Sequence, residues 1–180
     1  NDNEKLRLKL LEGRRLKEIL DFLFKTNSLK GMPQDGLVNL AKHTKLEKFK
    51  AGKSAIKQGE VDDSLFIVKS GRFVVTRDEA PTIHIDTPGD GAIIGEMAVL
   101  SGNVRSANVT ALEDSVVFRV PGKIFREVIE QHKTLKSRLE KSTSERLSHN
   151  HSLTKSAATE IEFNDKKRGF AAAEQEKPGR

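Results

Sequence analysis

Between Leu46 and Val120 the apolar residues come in short strand-length runs cut by Gly52, Gly59, Gly71, Gly89 and Gly91, whereas on either side they recur at helical spacing. This switch of period and back again restricts the chain to a β body flanked by helices. Within the body, Ser64 to Ser70 reads as a strand with Phe66 and Val68 alternating against Leu65, Ile67 and Lys69. Gly71-Arg72 reads as a tight turn into a further strand, Phe73 to Thr76, and Val116 to Val120 as another, stopped by Pro121-Gly122.

Upstream, Leu6, Leu10, Leu16, Ile19, Leu20 and Leu23 among Lys, Arg and Glu predict an amphipathic helix, and its apolar face needs a partner. A second helix is expected from Pro33, placed for a first turn, to about His43, with Leu37, Val38 and Leu40 on its buried side. After Pro121 the helical spacing returns at Ile124, Phe125, Val128, Ile129, Leu135, Leu139 and Leu147. Beyond Asn150 the scattered Ile161, Phe163 and Phe170 offer too little apolar surface to order a segment by itself. The expected organisation is an N-terminal helical segment over 1–45, a β body over 46–120, a C-terminal helix over 121–148 and a polar tail or linker over 149–180. A chain of 180 residues holds one such core with extensions.

Composition narrows the function classes. With no cysteine there is no disulfide framework, thiolate metal site or cysteine nucleophile, which fits a reducing, cytoplasmic compartment. No apolar run approaches the roughly 18 residues of a membrane span, and the chain opens on Asn1 rather than Met, so it is expected to be a piece of a longer protein. The net charge of +6 invites a nucleic-acid partner, but Lys and Arg alternate with Glu and Asp along the helical stretches as on solvated faces. With no helix-turn-helix-like segment, direct DNA binding is not expected.

The chemistry concentrates in Gly91–Ala111, G-A-I-I-G-E-M-A-V-L-S-G-N-V-R-S-A-N-V-T-A. Gly95, Glu96, Met97 and Ala98 follow an apolar strand, and a small-residue turn there starts a short helix whose free backbone N–H groups suit a phosphate. Arg105 adds a charged fork for phosphate oxygens, Ser106 a hydroxyl and Ala107 a backbone N–H. Glu96 would repel a bare anion, so the ligand must offer it a donor, and a ribose hydroxyl is the natural one.

Gly95-Glu96-Met97-Ala98 followed by Arg105-Ser106-Ala107 resembles the phosphate-binding cassette of the cyclic nucleotide-binding domain family, of the catabolite activator and protein kinase A regulatory subunit type. Phe49-x-x-Gly52, Gln58-Gly59-Glu60, Asp63-Ser64-Leu65-Phe66-Ile67-Val68, Ser70-Gly71, Gly89-Asp90 and the Phe125 helix extend the likeness over about Leu29 to Leu139. The resemblance implies an eight-stranded antiparallel β-roll flanked by helices. It also implies that Glu96 accepts from the ribose 2′-hydroxyl, that Arg105 neutralises the cyclic phosphate, and that Gly95 to Ala98, Ser106 and Ala107 donate to it. In this family the helix after the roll is a lid over the base, and here it would present Leu135 or Leu139.

The catabolite activator type continues into a DNA-reading domain, whereas this chain continues into a polar tail. Thr143-Ser144-Glu145 resembles the stretch with which the activator's helix reads adenine, but stands about two turns early, and Ser106 is compatible with either base. The expected ligand is cAMP ahead of cGMP, with no metal and no catalysis. The expected role is a sensor domain whose C-terminal helix shifts on binding to control a fused output domain or a partner protein through the terminal helices. Leu135, Leu139, Ser142 and Arg146 form a short stripe compatible with a parallel homodimer. The alternative is a non-binding β-roll that serves as an interaction scaffold. A cupin-like metal enzyme or a haem sensor would need more than His84, the lone histidine of the β body.

Overall fold

The computed structural model describes residues 2–79, 82–142 and 144–145. Residues 1–143 form one compact unit, and of a second, 144–180, only Ser144 and Glu145 are described. Thr143, Arg146 and the polar tail, on which the adenine-reading stretch, the dimer stripe and the linker were expected, lie outside the described residues.

Helix α1 spans Asp2–Lys25, a 3-10 turn Asn27–Leu29 follows, and α2 spans Gln34–His43. Eight strands come next: β1 Lys45–Phe49, β2 Ser54–Ile56, β3 Ser64–Ser70, β4 Phe73–Arg77, β5 Ile83–Asp86, β6 Ile93–Ile94, β7 Asn108–Ala111 and β8 Ser115–Pro121. A short α3, Glu96–Ser101, lies between β6 and β7; α4, Gly122–Glu130, follows β8, and a helical stretch over 133–142 is α5. The strands form two four-stranded antiparallel sheets, β1-β8-β3-β6 and β2-β7-β4-β5. This is the eight-stranded roll with flanking helices that the family resemblance implies.

Strand β3 explains why two cores exist. Leu65 and Ile67 point to one side, into a cluster with Ile19, Leu23, Leu40, Phe125 and Ile129 of the helices. Phe66 and Val68 point to the other, into the interior of the roll with Ile56, Phe73, Val109 and Val117. A strand buried on both faces packs helices on one side and the second sheet on the other. The Gly71-Arg72 turn accordingly carries the chain from one sheet to the other; β3 and β4 do not pair, so it closes no hairpin. Gly71 has φ +105°, and a Cβ there would stand 2.9 Å from the Ser115 backbone, so both conformation and space require glycine.

Helix α2 buries Gly36, Leu37, Leu40 and Ala41, while Val38 is only half-buried. Val128 of α4 approaches so closely that a Cβ on Gly36 would lie 2.9 Å from it, which turns the glycine side of α2 inward. Pro33 stands just before the first turn, as the N-cap. The helical run after β8 is in two pieces, since α4 ends at Glu130 and α5 starts at 133. Helix α5 is docked on the N-terminal elements: Leu135 and Leu139 are buried in the helical cluster, and the Arg138 guanidinium donates to the carbonyls of Ser28 and Lys30.

Candidate anion-binding cassette

The buried pair Ile93–Ile94 leads into Gly95, which has φ +82° and caps α3. A Cβ at this glycine would meet Nη1 of Arg105 at 2.6 Å and Cδ1 of Ile56 at 2.9 Å, so the guanidinium reaches its place because residue 95 has no side chain. Ala98 and Val99 pin α3 to the core, and Gly102, at φ +70°, closes it with its N–H on the Ala98 carbonyl. The following loop is stitched to the turn before β3: Gly59 N–H donates to the Arg105 carbonyl at 2.8 Å, and Arg105 N–H to the Glu60 carbonyl at 3.0 Å.

The Arg105 side chain is only 2% exposed. Its Nη1 donates to the Gly95 carbonyl at 2.8 Å, and its Nη2 to Asp62 Oδ2 at 2.9 Å and to the Ser64 carbonyl. Nε–H is buried and has no acceptor. A buried charged donor left open in this way is costly and suits an anion seated against it. Glu96 is also buried, at 5% exposure; Met97 and Ala107 are half-buried, and Ser106 is exposed. The structure thus brings Gly95, Glu96, Met97, Ala98, Arg105, Ser106 and Ala107 into one β6-α3-β7 segment. It places Leu135 and Leu139 in the helical core instead.

Sequence reasoning missed the acids that organise this segment. Asp62 accepts from Arg105, from the Ser64 hydroxyl at 2.6 Å and from Nη2 of Arg119 at 3.1 Å. Its neighbour Asp63 takes a bidentate contact from Arg126 of α4, at 2.5 and 2.9 Å, while Arg126 also donates to the Val99 carbonyl of α3. Two consecutive acids therefore hold different things, Asp62 the cassette arginine and Asp63 the first turns of α4. Arg119 reaches Asp62 because β8 pairs with β3 in the register Phe66↔Arg119, which no local motif announces.

Burial raises the Asp62 carboxyl, but the Ser64 hydroxyl and the two guanidinia outweigh it and bring it below the ordinary carboxylate value. Asp63 is held low chiefly by its hydrogen bonds to Arg126. Depressed folded values mean that the stability these groups give is fully present above the unfolded value of about 4 and is lost as pH falls through the folded values. An acid titration of thermal unfolding should therefore show a melting temperature that falls below about pH 4. Asp63→Asn should flatten part of that limb, and an unchanged limb would mean that the Arg126 pair does not hold in solution.

Among the described residues no group of three or more His, Asp or Glu is placed to hold a metal, and no helix is long and apolar enough to cross a membrane. His84, in β5, shares a hydrogen bond with the Thr87 hydroxyl at 2.9 Å.

A two-sheet roll with a glycine-capped short helix and a buried arginine between its sixth and seventh strands defines a class, the cyclic nucleotide-binding regulatory domain. Residues 46–132 match the model of the cyclic nucleotide-binding domain family. Among curated relatives, an uncharacterized NTE family protein of Mycobacterium tuberculosis is 40% identical over 79 residues, covering 44% of this chain and 13% of its own length. The cGMP-dependent protein kinase 2 of Mus musculus is 33% identical over 118 residues, 63% of this chain and 15% of its own. The chain therefore spans only a small part of those relatives. Among solved structures, the regulatory domain of Toxoplasma gondii PKA in co-crystal with cAMP is similar, with TM-score 0.68, 27% identity, and coverage of 74% of this chain and 51% of that one.

Proposed function

We propose that this chain is a sensor module that binds a purine cyclic nucleotide, cAMP in preference to cGMP, between α3 and the following loop. The observation that carries this reading is Arg105, a buried guanidinium whose Nε–H has no acceptor, in one β6-α3-β7 segment with the buried carboxylate of Glu96, which would repel a bare phosphate. Arg105 faces the cyclic phosphate, Glu96 accepts from the ribose 2′-hydroxyl, and Gly95 to Ala98, Ser106 and Ala107 supply N–H and hydroxyl donors. The preference for cAMP leans on the similarity to the Toxoplasma regulatory domain, whose co-crystal holds that nucleotide.

The binding signal leaves through the helices. If α5 is to cover the base, Leu135 or Leu139 must leave the helical core, and Arg138 must release the turn at Ser28 and Lys30. Ligand then shifts the balance between docked and lid-closed α5 by its difference in affinity for the two, and the freed N-terminal helices report this to a partner protein or domain.

Calorimetric titration of the chain, stripped of any bound nucleotide, should show saturable binding of cAMP and weaker binding of cGMP. Glu96→Gln should weaken the cAMP isotherm roughly 10-fold or more, through loss of a charge-assisted contact. No heat with either nucleotide in folded protein would leave the scaffold reading in its place.

A further inference from the structure

We infer that α1 is an antiparallel pairing surface for a second copy of this chain. From Asp2 to Arg15 every residue of α1 is exposed, including Leu6, Leu8, Leu10 and Leu11 at 52–61%. Farther along, Phe24 is 74% exposed. Only the last turns, through Ile19 and Leu23, are anchored in the body. A bare helix of this kind has no reason to persist in water without a covering partner.

The uncovered residues are ordered, and Leu20, half-buried against the helical cluster, continues their line. Leu6, Leu10, Gly13, Lys17, Leu20 and Phe24 follow one another at alternating spacings of four and three, the pattern of a coiled-coil seam. At about 100° per residue this seam is centred roughly 120° around the helix from Ile19 and Leu23, and among its members only Leu20 touches the edge of the face that holds the body. It is also symmetric about Arg15: reversed, the series places Leu6 against Phe24, Leu10 against Leu20, and Gly13 against Lys17.

That symmetry selects the partner and the direction. A parallel pair would stack Lys17 on Lys17 and Gly13 on Gly13, a like-charge contact next to a void. An antiparallel pair gives each lysine stem the space left by a glycine and lets the ammonium reach water. Arg7 and Asp21, each one residue past a seam position, then fall on the same flank and attract one another twice. Arg14 meets its own copy on that flank, which keeps the association modest. The exposed half of each helix then lies beside the half that carries the other copy's body. A lipid surface is a poorer occupant, because Lys17 would sit in the middle of the immersed stripe.

The chain has no cysteine, which permits a direct test. Sedimentation equilibrium of the full chain should show a concentration-dependent dimer. Leu6→Lys combined with Leu10→Lys should give a monomer whose thermal unfolding no longer depends on protein concentration and whose roll still unfolds cooperatively, since neither residue touches the core. Under mild oxidation, Leu6→Cys alone and Phe24→Cys alone should stay uncrosslinked, whereas an equimolar mixture of the two should yield the mixed disulfide dimer. A monomer at every concentration would overturn the inference, and so would a Leu6→Cys variant that crosslinks with itself as fast as the mixture does. A chain that stays monomeric but sediments with phosphatidylserine vesicles would assign the face to lipid and equally overturn it.

Discussion

Arg105→Ala is expected to lower cyclic nucleotide affinity by roughly 10- to 100-fold, through loss of a charge-assisted contact, and to destabilise the chain as well. The second effect follows from what the side chain does without ligand. It is nearly fully buried and serves the Gly95 and Ser64 carbonyls together with Asp62. Removing one member of a buried ion pair costs about 3–5 kcal/mol when the other charge is stranded. Asp62 is a third exposed and keeps Arg119 and the Ser64 hydroxyl, so about 3 kcal/mol, the lower end of that range, is expected. For a domain of this size that is a fall of roughly 6–12 °C in melting temperature. Differential scanning calorimetry and titration on the same variant read the two effects separately. An unchanged melting temperature would mean that the internal contacts do not hold the cassette, and an unchanged affinity would mean that the phosphate lies elsewhere.

Phe118→Ala should cost about 3–5 kcal/mol, the range for a large buried aromatic cut back to a methyl. Phe118 is fully buried on β8, between β1 and β3. Its ring stands 5.1 Å from that of Phe22 on α1, and the ammonium of Lys69 lies 5.7 Å from its centroid. The loss should therefore loosen α1 from the sheet before it opens the roll, because Phe118 belongs to the helical cluster and not to the roll interior. Hydrogen exchange would show this as lost protection in the last turns of α1 at a denaturant concentration where β4 and β7 stay protected. Uniform loss across both sheets would instead make the two cores one cooperative unit.

Much of the roll is legible in the sequence because strands with one apolar face announce their period. The stretch Ser64 to Ser70 is β3 as read, and Val116 to Val120 lies inside β8. The position of the cassette is legible for a different reason: a left-handed glycine, an acid and an arginine at fixed spacing are local chemistry, and β6, α3 and β7 assemble from adjacent residues. What sets Arg105 in place is not local. Asp62 meets Arg119 only through the β3–β8 register, and Asp63 meets Arg126 only once α4 has folded back, so their charges read as ordinary surface in one dimension. Leu135 and Leu139 show the complementary limit. Periodicity tells that a face is buried but not against what, and here the occupant is the N-terminal helical cluster.

The stitching of Arg105 to the turn at Gly59 and Glu60 bears on speed. Both backbone polar groups of Arg105 are already engaged and its guanidinium is held by Gly95, Asp62 and Ser64, so the open Nε–H stands in place before any ligand arrives. The cassette loop need not condense around its guest. On the proposed sensor reading the association rate is then set by diffusion to the cassette, and the slower time constant belongs to α5 leaving its dock. Stopped-flow traces should accordingly show two phases, a fast one proportional to nucleotide concentration and a slow one independent of it.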